Sequence, residues 1–307
     1  MAQLNYVTLD VFTSTQFSGN QLAIVLLGKD DFTPEKKLKI TKEFNFSETV
    51  FLHDEDDNGE QRIEIYTKKH ELPFAGHPVI GTAHYIFTQI EKTKNEVTVV
   101  SKAGPIKLSF DRVTSHATAD VPFNIHIHGI QTPTADILQF QPQLEILESS
   151  IAKLKDSYPA VSIVKGLSFN LIDFTNTPEL LAALKPAESA KATADEGWGP
   201  TFTGSYYYEL LENDPTRPAV RRIKSRMIFQ GIEDPATGSA ASALSAYLAL
   251  TGEKNQENKY SFEVTQGVEY GRPSAITVTV ELNTEGTEVQ ALRLSGQAAL
   301  VTKGTFF

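Results

Sequence analysis

The feature of the sequence that most constrains its fold is a motif that occurs twice. Residues 71–78 read ELPFAGHP, and residues 233–240, at an offset of 162 positions, read EDPATGSA. A glutamate, a proline and a glycine coincide at this offset, and Tyr85 coincides with Tyr247 in the stretch that follows. Each copy has the same order of strand, Glu-x-Pro turn, glycine and helix. We therefore predict two similar domains; the alternative is two unrelated helix starts that look alike.

The rest of the chain is dominated by short strand-like runs. β-Branched and aromatic residues recur in many of them, several alternating with polar residues, as is typical of strands. Helices are fewer. The sequence TPE at residues 33–35 is a helix-start signal that predicts a helix to about Phe44, and residues 177–179 repeat it. Residues 143–155 carry apolar side chains at helical spacing and are predicted as another helix.

Two further helices follow the repeated motif, at residues 78–87 and 240–250. Residues 78–87 place apolar side chains on one face, and residues 240–250 are almost wholly small or apolar. A helix that is apolar nearly all round is normally buried. Among strands, this favours a helix inside a barrel or curled sheet. We therefore predict an α+β fold with two pseudo-symmetric domains, each a curled β-sheet around a central α-helix. The N-terminal domain is placed at residues 1–122 and the C-terminal domain at 123–295, with a last strand at about 296–307 that can return to the first domain.

Composition excludes several classes of function. The 38 acidic and 28 basic residues give a net charge of −10, which argues against nucleic acid or an anionic membrane as the main partner. A small anionic metabolite remains compatible, because a local pocket can oppose the global charge. The chain has no cysteine, which excludes disulfides, zinc thiolates, iron–sulfur clusters and thiol nucleophiles. No leader or membrane-spanning run is visible, so we expect a cytoplasmic protein.

Both predicted central helices begin with a glycine and a polar residue: Gly76 with His77, and Gly238 with Ser239. The first N–H groups of a helix lack partners within the helix, and the helix dipole is positive there, so such a start can bind an anion. If the domains face each other, both helix starts point into one cleft and can hold a carboxylate or a developing enolate. The alternative is that His77 and Ser239 only cap their helices.

Three side chains are candidates for acid–base chemistry. Glu48 lies between a helix end and an apolar strand, where partial desolvation is expected to raise its pKa. His77 is a second candidate, and Asp234, in the turn before Pro235, is a third. Each also has a plain structural interpretation: a solvated charge at a strand start, a structural histidine, and a turn-building carboxylate.

Other signals are weak. His126 and His128 have strand spacing that places both imidazoles on one face, but no third ligand is evident near them in sequence, so we predict no metal site. The basic run at residues 220–226 is predicted to be a solvated strand face or a set of ion-pair partners. Nucleotide-binding glycine motifs and the G-x-S-x-G motif of serine hydrolases are absent from the sequence.

The motifs taken together resemble the PhzF family, the phenazine-biosynthesis isomerase-like proteins of the diaminopimelate-epimerase fold. The segments that carry the resemblance occur in the family's order: residues 10–12 (DVF) with Gly19-Asn20, residues 47–51 (SETVF), residues 71–78, residues 233–240 and residues 266–274 (QGVEYGRPS). They span about residues 4–110 and 218–304, and residues 123–200 carry none of them. Gln21 departs from the family, which usually has proline after Gly-Asn.

The resemblance implies two pseudo-symmetric domains with the site between them, and a homodimer that needs no cofactor. It implies that Glu48 is the acid/base, that His77, Asp234 and Ser239 line the site, and that Gly76 and Gly238 lie close to the ligand. Two further residues of the matching segments, Asn20 and Ser47, are taken as substrate-binding candidates.

We therefore predict a cofactor-independent isomerase that moves a proton between carbon atoms of a small, preferably cyclic, amino or hydroxy carboxylic acid. Two alternatives stay open: an epimerase or racemase that works without cysteine, and a metabolite-binding protein of this family that has no turnover.

Overall fold

The computed structural model describes residues 4–28, 31–56, 60–199, 202–212, 214–255 and 257–306. The fold mixes many strands with few helices. The strands are β1 (Leu4–Val11), β2 (Asn20–Gly28), β3 (Glu48–Glu55), β4 (Gln61–Thr67), β5 (Glu71–Leu72), β6 (Glu96–Ser101), β7 (Gly104–Asp111), β8 (His116–Asp120), β9 (His126–Ile127), β10 (Thr132–Pro133), β11 (Ser157–Tyr158), β12 (Ala160–Val164), β13 (Leu167–Asp173), β14 (Phe202–Leu210), β15 (Val220–Phe229), β16 (Ile232–Asp234), β17 (Lys259–Gln266), β18 (Ser274–Leu282), β19 (Val289–Gly296) and β20 (Ala298–Phe306).

The α-helices are α1 (Pro34–Phe44), α2 (Gly76–Tyr85), α3 (Thr134–Leu138), α4 (Glu148–Ile151), α5 (Pro178–Ala183) and α6 (Gly238–Thr251). A π-helical turn (Ile86–Ile90) extends α2, and a 3₁₀ turn (Pro142–Ile146) precedes α4. Within the part of the chain that the structure describes, none of these helices combines the length and the apolar character needed to cross a bilayer.

The chain divides into two compact units, Met1–Pro122 with Arg293–Phe307, and Phe123–Leu292. In the first unit the strands pair in the order β20, β1, β2, β3, β4, β6, β7, β8, and the last residues of β19 pair with β8. The pairs β2/β3 and β4/β6 are parallel and the others are antiparallel. The C-terminal strand β20 pairs with β1 from Leu4–Phe306 to Val11–Ala298.

Helix α2 packs against strands on several sides within the first unit: β1, β2, β3, β7, β8 and β20. Every residue from Gly76 to Ala83 is buried, so the helix is covered on more than the one apolar face that the sequence shows. The strands approach so closely at Gly81 that a Cβ there would lie 2.5 Å from Cδ2 of Leu22. The helix begins two residues earlier than predicted and ends at Tyr85, where the backbone changes to the π-helical turn and Glu91 N–H donates to the Ile86 carbonyl at 2.7 Å.

The second unit repeats this design with its own strands. Its strand order includes β9, β12, β13, β14, β15, β17 and β18, with the pairs β13/β14 and β15/β17 parallel. Helix α6 packs against β12, β13, β17 and β18, and its residues from Ala240 to Ala246 are buried. The helix spans Gly238–Thr251, slightly longer at both ends than predicted.

The repetition extends through the connections of both units. In the first unit α1 joins parallel strands β2 and β3, and α2 follows the short strand β5 and leads to β6, which is parallel to β4. In the second unit α5 joins parallel strands β13 and β14, and α6 follows the short strand β16 and leads to β17, which is parallel to β15. The motif noted in the sequence is therefore one part of a repeated strand–helix topology.

The helix predicted over residues 143–155 is wrong as a continuous element. Leu147, with φ −102° and ψ 48°, separates the 3₁₀ turn from the single turn of α4. This break lets Leu144 enter the core of the second unit while Ile146 remains exposed. Apolar spacing alone does not reveal such a break, because both sides of it retain apolar residues that pack on the same cluster.

The glutamates that open the repeated motif have different environments. Glu233 is buried and forms a two-point ion pair with buried Arg226, with Nε to Oε1 at 2.9 Å and Nη2 to Oε2 at 2.6 Å. Arg226 Nη1 also donates to the Leu181 carbonyl, which links β15 to α5. Glu71 instead pairs with Lys102 at 3.1 Å, and the lysine side chain is 56% exposed. The basic run at residues 220–226 thus supplies one buried ion-pair partner.

We expect Glu233→Gln to lower the free energy of unfolding by about 3–5 kcal/mol, because it leaves the Arg226 guanidinium buried without a compensating charge. The corresponding change Glu71→Gln is the matched control and is expected to cost less than about 1 kcal/mol, since its partner is in solvent. Urea denaturation of both variants measures the difference. Equal losses would contradict the view that the two motif glutamates have different structural roles.

Candidate active site

Glu48 is placed by the end of α1 and the start of β3. The helix stops at Asn45, which adopts a left-handed conformation (φ 57°) and donates its N–H to the Thr41 carbonyl. Glu48 then begins β3, which lies between β2 and β4. Its side chain is only 17% exposed, whereas Ser47 beside it is exposed. A carboxylate is thus held by a rigid strand at a sheltered position.

His77 is the second residue of α2 and is buried. Burial lowers its pKa to about 3, partly opposed by a hydrogen bond to the Gln21 backbone, so the ring is neutral near pH 7. Among the described residues, Nε2 has no hydrogen-bond partner, which assigns the Gln21 contact to Nδ1. The Nε2 atom lies 3.6 Å from Oε2 of Glu48, slightly beyond hydrogen-bond distance. The first unit therefore places a sheltered carboxylate beside a neutral imidazole.

The first turn of α2 contains His77 and therefore lies beside Glu48. Its N-cap residue is Ala75, which has no side-chain group to cap the first turn, and the first helical residue, Gly76, is buried. The N-cap residue of α6 is Thr237, and it makes no side-chain cap either. Its hydroxyl instead donates to Oδ2 of Asp234 at 2.6 Å. Neither helix start is thus closed by its N-cap side chain, a condition for anion binding by backbone N–H groups.

In the second unit, Asp234, Gly238 and Ser239 lie on one short segment, from the end of β16 to the first turn of α6. The segment is held by Gln266, a buried residue that the sequence analysis did not single out. Its Nε2 donates to the Asp234 carbonyl at 2.8 Å, and its Oε1 accepts from the Tyr206 hydroxyl at 3.1 Å. Gln266 could have been selected from the sequence, because it is the first residue of segment 266–274, one of the segments that resemble the PhzF family.

Gly267, the residue after Gln266, explains why this segment needs glycine. Its φ is +77°, and a Cβ would lie 2.6 Å from the carbonyl oxygen of Pro235. A larger residue would therefore be strained and would also displace the turn that carries Asp234.

The loop before β2 carries the remaining candidate, Asn20, which is buried at the first position of that strand. Asp10 on the paired strand β1 accepts the N–H of Phe17 at 2.6 Å and so fixes the loop that leads to Asn20. Gln21, where the family usually has proline, lies in the ladder opposite Asp10 and contacts His77 through its backbone. Asn20 is therefore next to the residue that orients the His77 ring.

The sequence shows no third ligand near His126 and His128, but the fold places Asp195 beside them. Asp195 is far away in the sequence and is brought in by the segment between α5 and β14.

The chain resembles known proteins in both sequence and fold. It matches the family model of phenazine biosynthesis-like proteins, PhzC-PhzF, over residues 9–304. It is 29% identical over 304 residues to the trans-2,3-dihydro-3-hydroxyanthranilate isomerase of Pseudomonas aeruginosa, covering 97% of this chain and 98% of that protein. Its fold resembles the crystal structure of a Bacillus anthracis phenazine biosynthesis protein of the PhzF family, with a TM-score of 0.76, 20% identity and complete coverage of both chains.

A third likeness is more distant. A hydroxyproline epimerase from Agrobacterium vitis matches with a TM-score of 0.58 and 13% identity over 99% of this chain and 92% of that one, which shows a shared fold alone. The match over nearly the whole length establishes that the chain belongs to the phenazine biosynthesis-like PhzC-PhzF family. Relatives named as isomerases support its assignment as an isomerase. The predicted family and epimerase-like fold class are thus confirmed.

The sheltered imidazoles of α2, buried His77 and half-buried His84, make the stability of the protein depend on pH. Burial lowers the pKa of His84 to about 4, as it lowers that of His77 to about 3. The unfolded chain takes up these protons below its ordinary histidine pKa of about 6.5, while the folded chain does not. Each histidine therefore reduces the free energy of unfolding by about 1.4 kcal/mol per pH unit as the pH falls from about 6.5 to its folded pKa.

We expect His84→Gln to weaken this acid sensitivity, so that its stability loss between pH 7 and pH 5 is smaller than that of the unmodified protein. Urea denaturation at three pH values in this range measures the slope. The control is His70→Gln, at an exposed position, which should leave the slope unchanged. An identical slope for His84→Gln and the unmodified chain would contradict a lowered pKa of His84.

Proposed function

We propose that the protein is a cofactor-independent isomerase that moves a proton between two carbon atoms of a small amino or hydroxy carboxylic acid, with Glu48 as the acid/base. The observation that carries the proposal is the sheltered Glu48 carboxylate, with Oε2 lying 3.6 Å from Nε2 of a buried, neutral His77. A base held in this way is suited to proton transfer, because it is fixed in position and partly removed from water.

In the proposed reaction, the Glu48 carboxylate removes a proton from one carbon atom of the substrate. The electrons of the broken C–H bond form a new double bond as the existing double bond shifts. The same carboxyl group, whose proton can exchange with solvent, then returns a proton to a second carbon atom, so no oxidant, reductant or cofactor is consumed. While Glu48 carries the proton, its O–H can donate to Nε2 of His77 after a small closure of the 3.6 Å separation. His77 is then a positioning residue.

The first turn of α2 supplies the second part of the proposed active site. Backbone N–H groups in the first turn, at Gly76 and His77, are suited to a substrate carboxylate or to negative charge that develops on an oxygen during the shift. Preorganised dipoles of this kind contribute several kcal/mol to reactions in which charge develops. The acid–base role of Asp234 and the roles of Asn20, Ser47, Gly238 and Ser239 in binding the substrate remain predictions.

The substrate class is proposed from the relatives. The Pseudomonas aeruginosa relative is named for trans-2,3-dihydro-3-hydroxyanthranilate, a cyclic amino hydroxy carboxylic acid. At 29% identity we transfer the class and leave the individual compound open. We also propose, on the family resemblance alone, that the protein is a homodimer, which light scattering of the purified chain tests.

Glu48→Gln keeps the shape of the side chain and removes the basic group. We expect it to lower turnover by about 10²–10⁴-fold, the usual contribution of a positioned general acid/base. The assay incubates trans-2,3-dihydro-3-hydroxyanthranilate and a panel of small amino and hydroxy acids in heavy water, and mass spectrometry measures deuterium at carbon. Glu55→Gln is the matched control, since Glu55 lies at the exposed end of the same strand and should leave exchange unchanged.

Each outcome of this assay has a distinct meaning. Full deuterium incorporation by Glu48→Gln would contradict the acid/base role. A product with one inverted stereocentre and an unshifted double bond would make the protein an epimerase. Thermal stabilisation by a panel compound that the unmodified chain neither converts nor exchanges with solvent would favour a metabolite-binding protein.

A further inference from the structure

We propose that His126, His128 and Asp195 form a binding site for a divalent transition-metal ion such as Zn²⁺ in the second unit. One ligand atom from each residue lies within 4.8 Å of the other two. Nε2 of His126 is 2.8 Å from Oδ2 of Asp195, and Nδ1 of His128 is 4.0 Å from the same oxygen. None of these residues belongs to the proposed acid–base machinery.

The two histidines are placed by the edge of the sheet. His126 lies in β9 opposite Ser162 of β12, and His128 follows two positions later, with the ring centroids 4.9 Å apart. His128 is buried, and its Nε2 contacts the Ser162 hydroxyl at 2.9 Å. This contact leaves Nδ1 to face Asp195. A hydrogen bond to the far ring nitrogen is the usual way in which proteins orient a metal-binding histidine.

Asp195 is oriented just as firmly. The backbone N–H of Gly129 lies 3.2 Å from each of its carboxylate oxygens, and the backbone N–H of Asp195 donates to Nδ1 of His128 at 3.2 Å. The carboxylate is thus held beside both imidazoles by the main chain. Metal binding by His128 through Nδ1 requires that atom to exchange the Asp195 N–H for the ion.

Two imidazoles and one carboxylate are a ligand set that suits Zn²⁺, Co²⁺ and Ni²⁺, with water completing the coordination. Ligand atoms about 2.0–2.2 Å from a tetrahedral Zn²⁺ lie about 3.3 Å from one another. The observed separations of 2.8 Å and 4.0 Å lie on either side of this value. The third separation, between the two imidazoles, is within 4.8 Å, so side-chain shifts would bring the three donors to the ion.

The donor set also suits a cation. Asp195 supplies a carboxylate beside the two imidazole rings. Lys165 places its Nζ 5.6 Å from the ring of Trp198, which in turn stacks on His126.

A second cluster of similar composition does not qualify. Asp31, His53 and Glu64 lie together in the first unit, but Lys37 Nζ already contacts both carboxylates, at 2.6 Å and 2.7 Å. Arg62 adds a second cation, 2.9 Å from Asp31 and 3.1 Å from Glu64. Two basic side chains occupy the place of a metal there. This cluster therefore provides a control for binding at the proposed site.

The expected consequence is structural. The ion would tie the segment between α5 and β14, which carries Asp195, to the edge strand β9. Trp198, on the same segment, stacks on His126 with ring centroids 4.3 Å apart and planes at 10°. It is the single tryptophan of the chain, so its fluorescence reports on this site alone. Binding should change that emission and raise the thermal midpoint, because a ligand that binds only the folded chain stabilises it.

The experiment titrates the untagged, chelator-treated chain at pH 7.5 with Zn²⁺ by calorimetry, and with Co²⁺ by visible absorption and tryptophan emission. We expect saturable binding of one ion. His126→Gln and Asp195→Asn should each weaken it by more than about tenfold, the least effect expected for a direct ligand. His53→Gln, in the other cluster, should bind like the unmodified chain. Glu48→Gln should do the same, which separates this proposal from the proposed function.

Two results would overturn the proposal. The first is the absence of saturable Zn²⁺ and Co²⁺ binding by the unmodified chain, which would leave the cluster as a hydrogen-bonded ion pair. The second is binding that survives His126→Gln and Asp195→Asn, or that His53→Gln abolishes. If Asp195→Asn fails to fold, the comparison of His126→Gln with the unmodified chain still tests the proposal. His126 is partly exposed, so its replacement does not leave a buried charge without a partner.

Discussion

The structure depends on the need to bury two helices that have almost no polar face. A helix with one apolar face can lie on a sheet, but α2 and α6 require neighbours on several sides. In each unit strands provide them, and six strands contact α2. The chain meets this need twice with the same order of connections, including two parallel strand pairs in each unit. Coverage of the helix is thus the constraint from which the sheet topology follows.

Burial of the helix also determines the chemistry at its start. His77 belongs to the first turn of α2, so it is taken from water together with the helix, and the loss of solvation keeps its ring neutral. Glu48 comes from the neighbouring strand β3, which contacts the same helix, and is sheltered for the same reason. The packing that stabilises the first unit therefore also places a base and a neutral acceptor beside each other.

Local signals in the sequence predicted local structure well. The helix at Pro34–Phe44 has the predicted bounds, because the Thr33 cap, the proline and the C-terminal stop act within one turn of each end. The prediction of one helix over residues 143–155 was wrong, because the break at Leu147 depends on packing against residues that are distant in the sequence. Contacts between distant segments were equally out of reach. Asp195 meets His126 only through the fold, and the 3.6 Å approach of Glu48 to His77 depends on β3 packing beside α2.

The two units show what a duplicated fold keeps and what it is free to change. Both keep a buried glycine as the first residue of the helix. The side chains around it differ. In the second unit the turn is fixed by the buried pair of Arg226 and Glu233 and by the hydrogen bonds of Gln266. In the first unit the matching glutamate faces a solvated lysine, and the helix start is accompanied by Glu48 and His77. The fold requires only that each helix be covered by strands, so the residues around the first turn can differ between the units. At this position one copy of a duplicated fold can therefore acquire a reactive pair of side chains while the other copy acquires a rigid turn.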